Sequence, residues 1–195
     1  MRWARVTALP PVYTIGHSTR SIPEFVDLLR AGPADLVVDI RTVPKSRRNP
    51  QYNGDALGEE LAPYQVGYER IAALGGLRGK ARDVPPGANA FWQNQSFHNY
   101  ADYALSDEFE AGLNELLKVA DERRTAIMCA EAVWWRGHRR IVADYLIARG
   151  RTVFHLMGGG RVEPAHLTPG ARVEGNRIVY PPGNRLSKDK VVPMG

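Results

Sequence analysis

The sequence predicts an α/β fold: three layers, a mostly parallel sheet with helices on both faces, and a β-hairpin added at the C-terminal end. Three observations predict it. Short apolar runs rich in β-branched residues recur at 12–16 (VYTIG), 36–40 (LVVDI), 125–129 (TAIMC) and 153–157 (VFHLM). They are nearly continuous rather than alternating, which is the pattern of strands buried on both faces. Segments with apolar residues at i, i+3 and i+4 lie between them, as required of helices that cover a sheet.

Taken in order, the run at 12–16 is the first strand. Ser21 then stands three residues before Glu24, the spacing of a capping box, so a helix starts there. Phe25, Leu28 and Leu29 form its inner stripe and Gly32-Pro33 stop it. After the strand at 36–40, residues 44–53 form a basic, polar loop, followed by a weaker helical pattern near 55–64 and a short strand near 68–72. Gly75-Gly76, Gly79 and Pro85-Pro86-Gly87 mark an excursion to about residue 95, longer than an idle connection runs. Tyr100 and Tyr103 lead into the next helix, which Ser106-Asp107-Glu108 open and which ends near Arg123, with Phe109, Leu113, Leu116 and Leu117 inward. The strand at 125–129 and a loop at 130–137 precede a helix over 138–149, with Ile141, Val142, Tyr145 and Leu146 inward. Beyond the strand at 153–157 and Gly158-Gly159-Gly160, residues 171–180 read as a hairpin turning at Gly175-Asn176, within a tail of about 161–182. One domain is expected over 1–195, with its core at about 12–157.

Composition narrows the function classes. Apolar residues at 44% and charged residues at 24% are the balance of a chain that buries a core. No stretch reaches the roughly 20 apolar residues of a bilayer span, and the start lacks a signal-peptide pattern, so a cytoplasmic protein without membrane partners is expected. A single cysteine, Cys129, excludes an intramolecular disulfide and a zinc site of paired thiolates. The charge of +5 comes with local clusters: Arg41, Lys45, Arg47 and Arg48, then Arg78, Lys80 and Arg82, then Arg136, Arg139 and Arg140.

In open parallel sheets ligands bind beyond the carboxyl ends of the strands. His17, Ser18 and Arg20 follow the first strand; Arg41, Arg47, Arg48 and Asn49 follow the second; Glu131, Arg136 and His138 follow TAIMC. Ser21 and His138 begin helices, whose ends favour anions. The expected ligand is therefore anionic: a phosphate, a carboxylate or a nucleic-acid backbone. Ser18, Arg41, Arg47, Arg48, Asn49, Arg136 and Arg139 are its candidate binding residues. Glu131, His138 and His17 are the candidate acid and base groups. Trp134 and Trp135, in a polar loop, are candidates for stacking on a base or ring. A divalent metal held by His17, Glu131 and His138 is chemically possible but no ligand spacing supports it, so no metal residue is assigned and the cofactor is left open. Asp39, at a buried strand end, is expected to pair with Arg41 or a backbone N–H. Cys129 is expected to be a buried structural thiol: Arg136 lies one residue too far along for a Cys-x5-Arg phosphate loop, and Glu131 inside that loop would repel a dianion.

Five ordered stretches, Thr14-Ile15-Gly16-His17-Ser18, VVDIRTVPKSRRNPQYN (37–53), Gly75-Gly76-Leu77-Arg78, SFHNYADY (96–103) and CAEAVWWRGHRR (129–140), resemble the domain of unknown function 488 family over about residues 12–180. The resemblance implies an intracellular three-layer α/β domain without an agreed activity. It singles out Gly16, His17, Ser18, Arg41, Arg47, Arg48, Asn49, Cys129, Glu131, His138 and Arg139. Where the family carries a second cysteine before its His-Arg pair, this chain has Gly137. Asp39-Ile40-Arg41 also faintly resembles a rhodanese-like strand end, without the loop that sulfur transfer needs.

Together these features point to a hydrolase or transferase acting on a phosphate-bearing substrate, a nucleotide or nucleic acid. The alternatives are a noncatalytic nucleic-acid-binding module and a protein-interaction scaffold; oligomeric state is not readable.

Overall fold

Each long apolar run becomes a strand of one sheet in the computed structural model, which describes residues 8–183. The strands are β1 (Val12–Gly16), β2 (Leu36–Asp39), β3 (Gly67–Arg70), β4 (Thr125–Cys129), β5 (Val153–Met157) and β6 (Arg161–Pro164), in the spatial order β3-β2-β4-β1-β5-β6. The first five are parallel and β6 runs antiparallel to β5. Alternation along the strands feeds two cores. Val12, Leu36, Val38, Ile127 and Cys129 pack with α3 (Gln95–Tyr103), α4 (Asp107–Glu122) and α5 (Arg139–Ala148). Tyr13, Ile15, Val37, Ala126 and Met128 pack with α1 (Ile22–Arg30) and α2 (Leu57–Leu61) on the other face. This is the three-layer α/β arrangement the sequence predicts, and the hairpin of β7 (Arg172–Glu174) and β8 (Arg177–Val179) turns at Gly175 and Asn176 as expected.

The strand order fixes where a site can form. The β1-to-β2 connection passes over β4 carrying α1, and the β4-to-β5 connection passes over β1 carrying α5 on the opposite face. Neighbouring strands thus send their chains to opposite faces, which opens a crevice at the carboxyl ends of β2, β4 and β1.

Several elements differ from expectation. The helix near 55–64 is only five residues of α2, and the chain tightens into a 3₁₀ turn at Ala62–Tyr64, where Pro63 removes a helix donor. The strand near 68–72 is shifted to Gly67–Arg70. Residues 95–103 are a helix of their own, α3, because the Asn94 side chain accepts from the N–H groups of Ser96 and Phe97. β6 was not foreseen: Arg161–Pro164 has no apolar run and pairs because the preceding glycines, with positive φ at Gly159 and Gly160, fold it back on β5.

The C-terminal segment is built into the core through buried polar groups. Tyr180 donates its hydroxyl to Asp144 Oδ2 (2.8 Å) and its N–H to Asn89 Oδ1 (2.9 Å), while its carbonyl accepts from Phe91 N–H (3.0 Å). Asp144 Oδ1 in turn accepts from Thr168 N–H (2.8 Å). Tyr180→Phe removes one bond from a buried carboxylate, so a loss of about 1–3 kcal/mol is expected in urea denaturation, with the midpoint lowered and the slope unchanged. An unchanged midpoint would show that the tail is not anchored there.

Candidate active site at the carboxyl ends of β2 and β4

The geometry starts at the end of β2. Asp39, fully buried, faces Arg41 two residues on, and the pair is bidentate: Arg41 Nε donates to Asp39 Oδ1 (2.9 Å) and Nη2 to Oδ2 (2.7 Å). Tyr68 on β3 donates its hydroxyl to the same Oδ2 (2.7 Å), and Arg41 Nη2 also donates to Tyr52 O (2.6 Å). The remaining nitrogen, Nη1, lies 3.2 Å from His17 Nε2 beyond β1. His17 Nδ1–H donates to Ser18 O (2.8 Å), so Nε2 carries the lone pair that Arg41 meets. Ser18 turns its carbonyl back to the ring by adopting φ +49°, a left-handed conformation rare for residues other than glycine. His17 stacks on Tyr52 with ring centres 4.3 Å apart. Burial lowers the His17 pKa, which Arg41 reinforces, so the ring is neutral. Both its nitrogens are engaged in holding the turn.

A second arginine organises the loop after β4. Arg139, with 0% of its surface exposed, donates from Nη1 to Cys129 Sγ (2.8 Å) and Glu131 O (2.6 Å), and from Nη2 to Ala132 O (3.2 Å). The loop folds around this guanidinium and presses onto β1: a Cβ at Gly16 would lie 1.7 Å from Glu131 O, so only glycine fits. Burial pushes the Cys129 thiol up to about 12, outweighing the nearby guanidinium, which fits the buried structural thiol foreseen from sequence. Gly137 sits against the same group, where an added Cβ would be 2.9 Å from both Cys129 Sγ and Glu131 Oε2.

These two frames border a cleft of about 400 Å³. Arg41, Glu131, Arg136 and His138 line it, together with Thr42, Val43, Ala130, Gly76, Leu77 and the first turn of α3 at Asn94, Ser96 and Phe97. His138 Nε2–H donates to Ile40 O (2.6 Å), which leaves Nδ1 with the lone pair and without a hydrogen-bond partner among the described residues. Burial lowers the His138 pKa, so the ring in the cleft is neutral. Arg136 is exposed and in no ion pair among the described residues. Arg41 is 7% exposed, and four of its five N–H groups are used by the contacts above; the second hydrogen of Nη1 has no partner among the described residues.

The sequence candidates therefore divide. Glu131, His138, Arg41 and Arg136 meet in the cleft. His17, Ser18 and Arg139 do not line it: both ring nitrogens of His17 are engaged in the fold, and Arg139 is enclosed by the loop with three N–H groups bonded and its Nε unpaired. Arg47 and Arg48 are exposed on the loop outside it, and Asn49 is half-buried there, its N–H donating to Ser46 Oγ (3.0 Å). Trp134 is occupied, stacked on His155 at 4.6 Å and donating Nε1–H to Glu163 (3.3 Å), whereas Trp135 is 47% exposed. Sequence reasoning missed Thr42, Asn94 and Ser96; an asparagine one residue before Gln95 was the available sign that a capped helix begins there. Among the described residues no group of three or more His, Cys, Asp or Glu side chains is placed to hold a metal ion, and no helix is long and apolar enough to cross a membrane.

Fold and cleft define the chain as an α/β protein with a polar site at the switch point of a mostly parallel sheet. Residues 21–146 match the model of the family described as domain of unknown function DUF488, and the chain belongs to that family. No curated protein and no solved structure matches it. The match leaves out β1 and β5, so the central strand that carries His17 lies outside it.

Two tests follow from this geometry. Cys at 137 would place its Cβ at about the 3 Å from the facing sulfur that a disulfide requires. Gly137→Cys is expected to form a disulfide with Cys129 on oxidation, so that thiol titration finds none free; two free thiols would refute the close approach. The second concerns acid stability. Burial lowers the pKa of His17, of His138 and of His155, the last to about 3. Each then sits below its unfolded value of about 6.5, so the unfolded chain binds protons that the fold refuses. Stability present at neutral pH is lost as pH falls below about 6.5, by up to about 1.4 kcal/mol per pH unit for each such histidine. Asp144, whose pKa burial raises, works the other way and blunts the loss at lower pH. A melting temperature constant from pH 8 to 5 would contradict the neutral buried state of these rings.

Proposed function

We propose that the cleft is the active site of a hydrolase or group-transfer enzyme acting on a small phosphate-bearing substrate such as a nucleotide. The observation that carries the reading is the meeting, in one cleft, of two guanidinium groups with unspent donors, Arg41 and Arg136, and two proton-handling groups, Glu131 and His138. Arginine donors suit phosphate oxygens, and the Arg41 donor is fixed in advance by Asp39 and Tyr52, so binding costs it little rearrangement. In this reading Glu131 takes the proton of the attacking water or hydroxyl, and the neutral Nδ1 of His138 accepts a hydrogen bond that orients that nucleophile. The bond from phosphorus to the leaving oxygen breaks as the new one forms, the leaving oxygen takes its proton from Glu131 or solvent, and the arginines meet the charge that builds on the phosphate oxygens. The volume, about 400 Å³, suits a ligand of nucleotide size.

A second reading, a noncatalytic nucleic-acid-binding module, is favoured by the exposed Arg47, Arg48 and Trp135 outside the cleft. One experiment separates the two. Thermal shift against inorganic phosphate, nucleoside phosphates and phosphosugars is expected to find a stabilising ligand, worth about 2.7 kcal/mol at a hundred times its Kd. Arg136→Ala is expected to abolish the shift. Glu131→Gln is expected to keep binding and to lower turnover of the ligand found by about a hundredfold or more. Turnover unchanged in Glu131→Gln would remove the catalytic reading, and no response to any phosphate would remove the cleft as an anion site.

A further inference from the structure

A second groove, of about 700 Å³, lies on the other side of the first turn of α3, lined by Lys80, Arg82, Gln95, His98 and Asp102. It shares both of its walls with the cleft. Gln95 and His98 face the groove where Asn94, Ser96 and Phe97 face the cleft, and the segment that brings Gly76 and Leu77 to the cleft brings Lys80 and Arg82 to the groove. Two residues, Arg78 and Gly79, separate Leu77 from Lys80, a reach of at most about 10 Å.

The charge in the groove is one-sided. Lys80 and Arg82 are exposed and in no ion pair among the described residues. The one carboxylate there, Asp102, is buried, accepts from Asn89 Nδ2 (2.8 Å) and lies 3.7 Å from His98 Nε2, so its charge is turned inward. Asp83 lines a different groove, with Arg78 and Arg177, on the far side of the same loop. Apolar faces stand in the cleft beside this path: Leu77 is 74% exposed, and Val43 and Phe97 line the cleft with it, while the α3 turn between the two sites is polar at Asn94, Gln95 and Ser96. Cationic positions spaced along a path, with apolar faces beside the first of them, match a chain of phosphates whose bases are unstacked.

We propose that this groove is a second phosphate subsite and that the substrate is a single-stranded nucleic acid, one phosphate in the cleft and the following backbone passing α3 to Lys80 and Arg82. The proposal rests on the reading of the cleft as a phosphate site, and its test keeps the two apart. Binding of thymidine monophosphate is compared with that of oligothymidylates of about two to eight nucleotides, and with a duplex of the same length, for the native chain and for Lys80→Ala/Arg82→Ala. Both side chains are exposed and donate no hydrogen bond among the described residues, so the double variant keeps the fold. Affinity is expected to rise about tenfold or more from monophosphate to strand. The double variant is expected to lose that rise, to lower the slope of log K against log salt by about 1.4 for two phosphates, and to bind the monophosphate as before. Equal affinity at all lengths, a length dependence that survives the double substitution, or a duplex bound as tightly as the strand would each overturn the proposal, while monophosphate binding that is lost in Arg136→Ala would leave the cleft reading standing. If neither monophosphate nor strand binds, the cleft reading falls and the subsite with it.

Discussion

The carboxyl end of the sheet is held by one buried ion pair, Asp39 with Arg41. Around it converge the turn after β1 through His17, β3 through the Tyr68 hydroxyl, and the 50–52 turn through the Tyr52 carbonyl. Removing one partner of such a pair leaves an uncompensated charge and costs about 3–5 kcal/mol, so the pair behaves as a fixed part of the frame. It is also what gives the cleft a rigid donor. A guanidinium clamped by a bidentate carboxylate and a carbonyl cannot swing, and its unspent N–H keeps one direction.

The loop after β4 is built on the same logic with a different anchor. Arg139 has no carboxylate partner among the described residues, and the carbonyls of Glu131 and Ala132 and the Cys129 sulfur surround it instead. Carbonyl oxygens that would be orphaned in a buried turn are thereby satisfied, and the turn is drawn against β1 so tightly that Gly16 has no room for a side chain. The position of the Glu131 carboxylate is a consequence: its own backbone carbonyl is one of the groups Arg139 holds.

What could be read in the sequence was whatever local pattern determines. Strands at 125–129 and 153–157, the capping box at Ser21 and the helix opened by Ser106 are written in a few adjacent residues, and each stands where the pattern places it. The pairing of Asp39 with Arg41 was legible for the same reason, two residues apart at a strand end. β6 was not, because its pairing comes from a glycine turn and the free edge of β5 rather than from its own composition. The roles of His17 and Arg139 were also closed to sequence reading, since a polar side chain after a strand looks the same whether it faces solvent or is enclosed by the next loop.

Counting cationic residues therefore misjudges such a site, and counting unspent donors describes it. A buried guanidinium whose hydrogens already reach carbonyls and carboxylates can bind a ligand only by breaking bonds that the fold needs, at a cost near the full desolvation of the groups released. By that measure Arg41 brings one N–H to the cleft and Arg136 its whole fork, while Arg139, whose Nε and second Nη2 hydrogen have no partner among the described residues, is fully buried and does not line the cleft. The committed arginines fix where the strand-end loops stand and the uncommitted one supplies most of the binding charge. In a small α/β sheet these two tasks conflict in a single side chain, and here they are divided among neighbours on the same edge.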